Sequence, residues 1–341
     1  MDERQLNTLK TLLEKPKKIA VIPHRNPDGD AMGSTLALQF FLEKLGHSVT
    51  VISPNSFPHF LDWLPKSENV VLFDQENKKA NQLLEQADII FTLDFNSFSR
   101  TGKEMQSVLE KINTTFIMID HHQQPDDYAE FMFNKTNTSS TCELVYEFIH
   151  LLNKPNLIDK AIATCLYAGV MTDTGSFRFP STSSNTHRMI AHLIDEGADN
   201  SLIHQNIFDT KSPDQLKLLG TALNNLHILK EYQTAYISLS QQELDEHHYK
   251  KGDTEGIVNY GLSLQGIIFA VIFIENQEEE IIKISFRSKG DFDVNTFARE
   301  NFNGGGHKNA AGGRSFKSLH HTISDFEELL KKYSKQLKIK A

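Results

Sequence analysis

His24, Asp28 and Asp30 lie in the run His-Arg-Asn-Pro-Asp-Gly-Asp, directly after an apolar stretch, Ile19 to Pro23, that reads as a strand. Pro27 stiffens this loop and Gly29 lets it turn tightly, so an imidazole and two carboxylates can converge on one point. Taken alone, the same loop could be a turn with aspartate caps. Asp94 and the tripeptide Asp120-His121-His122 end two further apolar runs, and Asp173 sits in Thr-Asp-Thr-Gly-Ser after the apolar helical pattern Ala161 to Met171. So many acids cannot crowd together ionised without cations, because like charges at contact distance raise each other's pKa and oppose folding. Donors drawn from His and Asp without Cys suit Mn²⁺ or Mg²⁺ and leave Fe²⁺, Co²⁺ or Zn²⁺ open. Two such ions about 3.5–4 Å apart could share one carboxylate, activate water and stabilise the leaving oxygen of a displacement at phosphorus. The chemistry expected is phosphoester or phosphoanhydride hydrolysis.

The elements that must position these groups are legible as short apolar runs separated by helical patterns, the sign of βαβ units and a mostly parallel sheet. Strands are expected at 19–23, 49–53, 70–73, 88–93 and 115–119, with a helix from Asp30 to Leu45 stopped by Gly46. Open α/β sheets bind ligands at the carboxyl ends of their strands, which is where Asp94 and Asp120 stand. Beyond Thr138 the pattern is helical through Asp173 and again over 185–208, with no strand to extend the sheet. Ser212-Pro213 reads as an N-cap followed by proline at the first helical position, opening a connecting helix to about Leu226. A second unit begins near Ile228, with strands at 234–239, 267–275 and 281–287, a helix over 294–302, a glycine-rich turn and a closing helix over 323–337. Glu278, Glu279 and Glu280 read as a solvated hairpin turn.

The 341 residues are 39% hydrophobic and 23% charged, an ordinary globular balance that suggests two domains. A formal charge of −9 argues against a grip on long duplex nucleic acid, which calls for a broad basic surface. The two cysteines, Cys142 and Cys165, read as core thiols in a reducing compartment. No apolar run approaches the roughly 20 residues of a membrane span, and Met1 to Lys18 is a charged amphipathic stretch, so a cytoplasmic protein is expected.

The second half has one basic stretch. Between Arg287 and Arg314 there are five Lys/Arg against three Asp/Glu, a local +2 that leaves −11 for the rest. Gly304, Gly305 and Gly306 could present backbone N–H groups as an anion nest, with His307 adding a donor. Arg287, followed by Ser288, could take a phosphate through its planar fork. Phe177 and Phe179 around Arg178 could stack a base or form an ordinary apolar strand. Arg100 could touch a phosphate or cap a helix. His247-His248 and His320-His321 are expected in solvent.

The ordered set His24-x3-Asp28-x-Asp30, Asp94, Asp120-His121-His122 and Asp173 resembles the DHH phosphoesterase superfamily, named for that tripeptide. Gly304-Gly305-Gly306-His307 with Ala310-Ala311-Gly312 looks like the hallmark of the DHHA1 domain found in one branch of it. Together these motifs span Val21 to Gly313, and no motif position departs from the pattern. The resemblance is strongest to stand-alone hydrolases of short oligoribonucleotides, the nanoRNases, which also remove the 3′-phosphate of 3′-phosphoadenosine 5′-phosphate. It implies a Rossmann-like, mostly parallel DHH catalytic domain over 1–195, connecting helices over 196–222, and a smaller α/β DHHA1 substrate-binding domain over 223–341, with the active-site cleft between the domains. It further implies that His24, Asp28 and Asp94 hold one divalent ion, most simply Mn²⁺, and that Asp30, Asp94, His121 and Asp173 hold another, with Asp94 bridging. His122 would face the scissile phosphate and Asp120 would orient the histidines. Arg287, Ser288 and Gly304 to His307 would bind substrate, and a homodimer is what the family suggests.

A short substrate reconciles the acidic surface with nucleic-acid chemistry, since only a few phosphates need neutralising. The rival enzymatic reading is a phosphodiesterase for cyclic or linear dinucleotides such as cyclic di-AMP or pApA. Membrane-bound members of that kind carry extra N-terminal segments, which favours the nanoRNase reading modestly. Inorganic pyrophosphatases resemble a different C-terminal domain, and single-strand exonucleases of the superfamily carry further domains. A catalytically silent nucleotide sensor would be expected to lack a metal ligand or the phosphate-facing histidine, and every position is filled.

Overall fold

Short runs of β-branched and apolar residues form a six-stranded sheet: β1 (Lys18–Ile22), β2 (Ser48–Ser53), β3 (Val71–Leu72), β4 (Ile89–Leu93), β5 (Thr115–Asp120) and β6 (Phe131–Asn134). This is a computed structural model, and it describes residues 3–250 and 252–337. Residues 1, 2, 251 and 338–341, which include the outer ends of both expected domains and the start of the amphipathic opening stretch, lie outside the described residues. The chain divides into two compact units, Met1–Thr210 and Lys211–Ala341.

In the first unit the strand order is β3-β2-β1-β4-β5-β6 and every pairing is parallel. Such a sheet is covered by helices on both faces, which is why β4 is buried along its whole length. The chain leaves β1 in one direction to build β2 and β3 and returns beside β1 to build β4. The β1/β4 boundary is therefore the topological switch point, where loops diverge and leave a crevice.

The helix expected after β1 spans Gly29–Lys44, with Gly46 just past its end at φ +92°. Thirteen of its residues are buried, and it lies against the helix Lys160–Asp173. The two approach closely because each supplies a glycine at the contact. A Cβ on Gly33 would sit 2.5 Å from the carbonyl oxygen of Cys165, and one on Gly169 would sit 3.2 Å from Asp30 Cα and 2.2 Å from the sulfur of Cys142 on a third helix. Both cysteines are buried, as expected of core thiols. The helical region beyond Thr138 resolves into Thr141–Leu151, Lys160–Asp173, Ser184–Asp195 and Asn200–Phe208. Strand β6 was not expected, because three apolar residues before an asparagine give too short a pattern to stand out.

The second unit holds a mixed sheet of order β11-β12-β10-β9-β8-β7, from β7 (Leu226–Leu229), β8 (Thr234–Leu239), β9 (Phe269–Asn276), β10 (Ile281–Ser288), β11 (Gly305–His307) and β12 (Ala310–Ser315). Among the described residues of this sheet only β8 and β9 pair in parallel. One face of the sheet buries Phe269 and Phe286 against Phe297 of the helix Val294–Asn301 and Phe326 of the helix Leu319–Tyr333. The connecting helix opens as expected, with the Ser212 hydroxyl accepting from the N–H of Gln215 and Pro213 at the first position, and ends at Asn224. The closing helix begins four residues earlier than its apolar pattern, because Ser318 caps it. The acidic triplet forms the β9–β10 turn, while the glycine-rich segment is a strand rather than a turn: Gly305 pairs with Gly312 and His307 with Ala310.

Candidate metal centre

The carboxyl ends of β1, β4 and β5 and the end of the helix Lys160–Asp173 bring six of the expected residues together. His24 follows β1, and its Nδ1 is 2.9 Å from the carbonyl oxygen of Arg25, so Nε2 is the nitrogen turned to the carboxylates. That Nε2 lies 3.4 Å from Asp94 Oδ2 and 4.0 Å from Asp28 Oδ2. Asp28 serves twice, since its Oδ1 caps the helix Gly29–Lys44 by accepting from the N–H groups of Asp30 and Ala31. The residue of this loop in left-handed conformation is Asn26, at φ +57°; its backbone N–H donates to Asn55 Oδ1 and its Oδ1 accepts from the Asn55 side-chain amide. Gly29 is instead needed for close approach: a Cβ there would meet the Thr172 hydroxyl at 2.3 Å.

Asp94 leaves β4 at φ +64°, strained for a residue with a side chain. Its two oxygens face different neighbours. Oδ2 looks to His24, while Oδ1 is 3.4 Å from His121 Nε2. His121 Nε2 is also 3.7 Å from Asp173 Oδ2 and 3.8 Å from Asp30 Oδ2. Donor atoms of His24, Asp28 and Asp94 fall within 4.8 Å of one another, and so do those of Asp30, Asp94 and His121. Asp94 is common to both groups.

Asp120, fully buried, accepts from His122 Nδ1 at 2.7 Å and from the Asn134 amide at 3.1 Å. This fixes the His122 ring and assigns its Nδ1 the proton. Asn134 also donates to the carbonyl oxygen of His122. Sequence reasoning missed Asn134 because its strand was missed. It missed Thr141 as well, whose hydroxyl donates to Asp94 Oδ1 at 2.9 Å. The backbone N–H groups of Thr141 and Cys142 both donate to the Asp30 carboxylate, at 2.6 and 2.8 Å.

The electrostatics fit a cation. Burial opposes ionisation of Asp94, but hydrogen bonds from His121 and His24 outweigh it and hold that carboxyl well below its usual range. Burial together with the charges of Asp94 and Asp173 pushes Asp30 well up. Burial works against a charge on His121, yet the bond to Asp94 and the carboxylates of Asp173 and Asp30 raise it to about 10. A pocket that draws a proton so strongly onto an imidazole is electrostatically built for positive charge, and its oxygen and imidazole donors match a divalent ion of intermediate hardness.

In the second unit Arg287 and His307 both pair with Ala310, from opposite sides. Directly paired residues share a face, so an arginine and a histidine flank one methyl group about two strand spacings apart, roughly 10 Å. Ile282, Ile284 and Phe286 point to the phenylalanine core, which puts Arg287 on the other face. The nest expected of the glycines is partly spent on the protein: Gly306 N–H donates to Asn295 Oδ1 at 2.9 Å and Gly304 N–H to the carbonyl oxygen of Ala298. The Ser288 hydroxyl donates to the carbonyl oxygen of Phe292 and accepts from Asn309.

Other expectations resolve structurally. Residues 175–177 form a turn with three consecutive positive φ values, so Phe177 and Phe179 are not on a strand, and Phe177 packs edge-on to Tyr167. The carbonyl of Arg100 accepts from the N–H of Arg25, and its charge acts against a proton on His24. His248, His320 and His321 are exposed, whereas His247 is half-buried and bonded to Thr221.

The chain belongs to the DHH phosphoesterase family: residues 18–170 match the DHH family, N-terminal domain, and residues 230–338 the DHHA1 domain. Among curated relatives, the bifunctional oligoribonuclease and PAP phosphatase NrnA of Bacillus subtilis is 27% identical, over 92% of this chain and 95% of its own. The cyclic-di-AMP phosphodiesterase GdpP of Geobacillus thermodenitrificans is 24% identical, over 94% of this chain and 49% of its own. An exopolyphosphatase-related protein from Bacteroides fragilis has a crystal structure that superposes with a TM-score of 0.94 at 38% identity, covering 99% of this chain and 98% of that one.

Proposed function

We propose that this chain is a two-metal phosphoesterase that hydrolyses short oligoribonucleotides to mononucleotides and 3′-phosphoadenosine 5′-phosphate to AMP. The observation that carries the reading is Asp94, whose two carboxylate oxygens each face a separate His/Asp group. His24, Asp28 and Asp94 would hold one ion, and Asp30, Asp94, His121 and Asp173 the other, with Mn²⁺ the best match to the donors. Divalent ions there supply Lewis acidity and a water acidic enough to attack phosphorus at neutral pH. The chain's own residues do the rest. Asp120 and Asn134 hold His122 in one orientation, which suits it to hydrogen-bond the substrate phosphate. Arg287 and His307, set either side of Ala310, would grip a second phosphate.

The substrate assignment is supported by the likeness to the oligoribonuclease and PAP phosphatase over both domains. The cyclic-dinucleotide reading rests on the weaker likeness. The test is hydrolysis by the Mn²⁺-loaded protein of end-labelled RNAs two, five and twenty-four nucleotides long, beside cyclic di-AMP, pApA and 3′-phosphoadenosine 5′-phosphate, with Asp94→Ala as the control. Preference for the short RNAs and the bisphosphate is expected. Rapid opening of cyclic di-AMP with poor RNA cleavage would overturn the assignment.

A further inference from the structure

Thr141 touches the candidate centre twice and belongs to none of the motifs that define it. Its hydroxyl donates to Asp94 Oδ1 at 2.9 Å, and its backbone N–H donates to Asp30 Oδ2 at 2.6 Å across 111 residues of sequence. It is the first residue of the helix Thr141–Leu151, where the leading N–H groups have no partners inside the helix. Two of those donors, from Thr141 and Cys142, go to the single carboxylate of Asp30. The helix is anchored for this. Ser140 caps it by accepting from the N–H of Glu143, and the buried Glu143 carboxylate accepts from the N–H and hydroxyl of Ser139 and from the Thr186 hydroxyl. Thr141 is itself fully buried, so neither of its contacts exchanges with bulk water.

We propose that Thr141 is a positioning residue that sets the plane of the Asp94 carboxylate, so that its two oxygens present to two metal ions at once. The inference rests on the two-metal reading above. A carboxylate between His24 and His121 could rotate about its Cβ–Cγ bond and offer both oxygens to one ion. A hydroxyl bonded to Oδ1 from a rigid helix end removes that freedom, and the same helix end orients the Asp30 carboxylate of the second group. The contrasting role is that the hydroxyl merely satisfies a buried oxygen, in which case its loss would lower the stability of the metal-free protein and leave metal binding alone.

The experiment compares the full chain with Thr141→Val and Thr141→Ser, by calorimetric titration with Mn²⁺, by metal-free thermal unfolding, and by steady-state hydrolysis of a dinucleotide RNA. Valine keeps the backbone N–H and the side-chain volume and removes only the hydroxyl. The expected result is two ions bound by the parent chain, with affinity for the weaker one reduced about 10–100-fold in Thr141→Val, as for other groups that orient metal ligands. kcat should fall in step, KM should change little, and Thr141→Ser should restore both affinity and kcat. Equal Mn²⁺ affinities in parent and valine chains overturn the role of Thr141 and leave the two-metal reading standing. A parent chain that binds fewer than two ions overturns both. Should the valine chain fail to fold, Thr141→Ala against Thr141→Ser makes the same comparison.

Discussion

Asp120 is the residue whose role the geometry narrows most. Its hydrogen bonds are to the His122 imidazole and the Asn134 amide, and its carboxylate lies within 4.8 Å of donor atoms of Asp94 and His122. Asp120→Asn keeps the shape but can turn an amide N–H toward His122 Nδ1, which weakens the hold on ring and tautomer. A fall in kcat of about 10–100-fold is expected, with the calorimetric Mn²⁺ stoichiometry unchanged. Loss of a bound ion in that variant would instead make Asp120 a ligand. His24, Asp28, Asp30, Asp94, His121 and Asp173 were all legible as candidates, because residue type and position after an apolar run are properties of the chain. Asn134 and Thr141 were not, since an isolated asparagine or threonine carries no signal until something buried and charged is placed against it.

Helices decide how closely the carboxylates approach. The packing around Gly29–Lys44 and Lys160–Asp173 has no room for a methyl group at Gly169, where it would meet the sulfur of Cys142 on the helix Thr141–Leu151 at 2.2 Å, nor at Gly33, where it would meet a backbone carbonyl at 2.5 Å. Each alanine substitution should cost about 1–3 kcal/mol in urea unfolding. Adding Cys142→Ala should recover much of the loss at Gly169, where a side-chain atom is the obstacle, and little at Gly33. A second element-scale contact is titratable. Burial opposes ionisation of Asp159, but its bonds from Lys44 and the N–H of Ile162 prevail and hold the carboxyl below its usual range. A carboxyl lowered on folding stabilises the folded chain above its unfolded pKa, and that contribution is lost as pH falls through the folded one. Asp159→Ala should therefore cost about 1 kcal/mol at pH 7, as N-caps do, with the gap from the parent closing below about pH 4. The helix itself was readable from its apolar pattern, whereas the value of its cap depends on Lys44 arriving from elsewhere in the chain.

At the scale of the molecule the chain assigns its donors to separate units. His24, Asp28, Asp30, Asp94, His121 and Asp173 lie in Met1–Thr210, and Arg287 and His307 lie in Lys211–Ala341. Mn²⁺ at a hundredfold excess over its dissociation constant should stabilise the native protein by about 2.7 kcal/mol per site. Hydrogen exchange should locate the protection at the loops after β1, β4 and β5. Protection confined to the second unit would contradict the assignment. On the proposed phosphate grip, Arg287→Ala should raise KM for a dinucleotide RNA about tenfold while sparing Mn²⁺ affinity. Among the described residues no helix is long and apolar enough to cross a membrane.

What the sequence determined by itself is a set of candidate donor residues and the placement of His24, Asp94 and His121 after strands, because alternating apolar runs and helical patterns are local and reach the carboxyl edge of a parallel sheet whatever else the chain does. The two faces of β10 were equally local, since alternation alone puts Arg287 opposite Phe286. The tertiary structure decided which Asp94 oxygen faces which imidazole, that Thr141 and Cys142 close on Asp30, and that Asn295 takes the N–H of Gly306. Apart from the Asn295–Gly306 bond, those contacts join segments distant in sequence, and their geometry is set by how the helices pack. A carboxylate's chemistry is written in its residue type, but the ion each of its oxygens can meet is fixed only when the helices around it have closed.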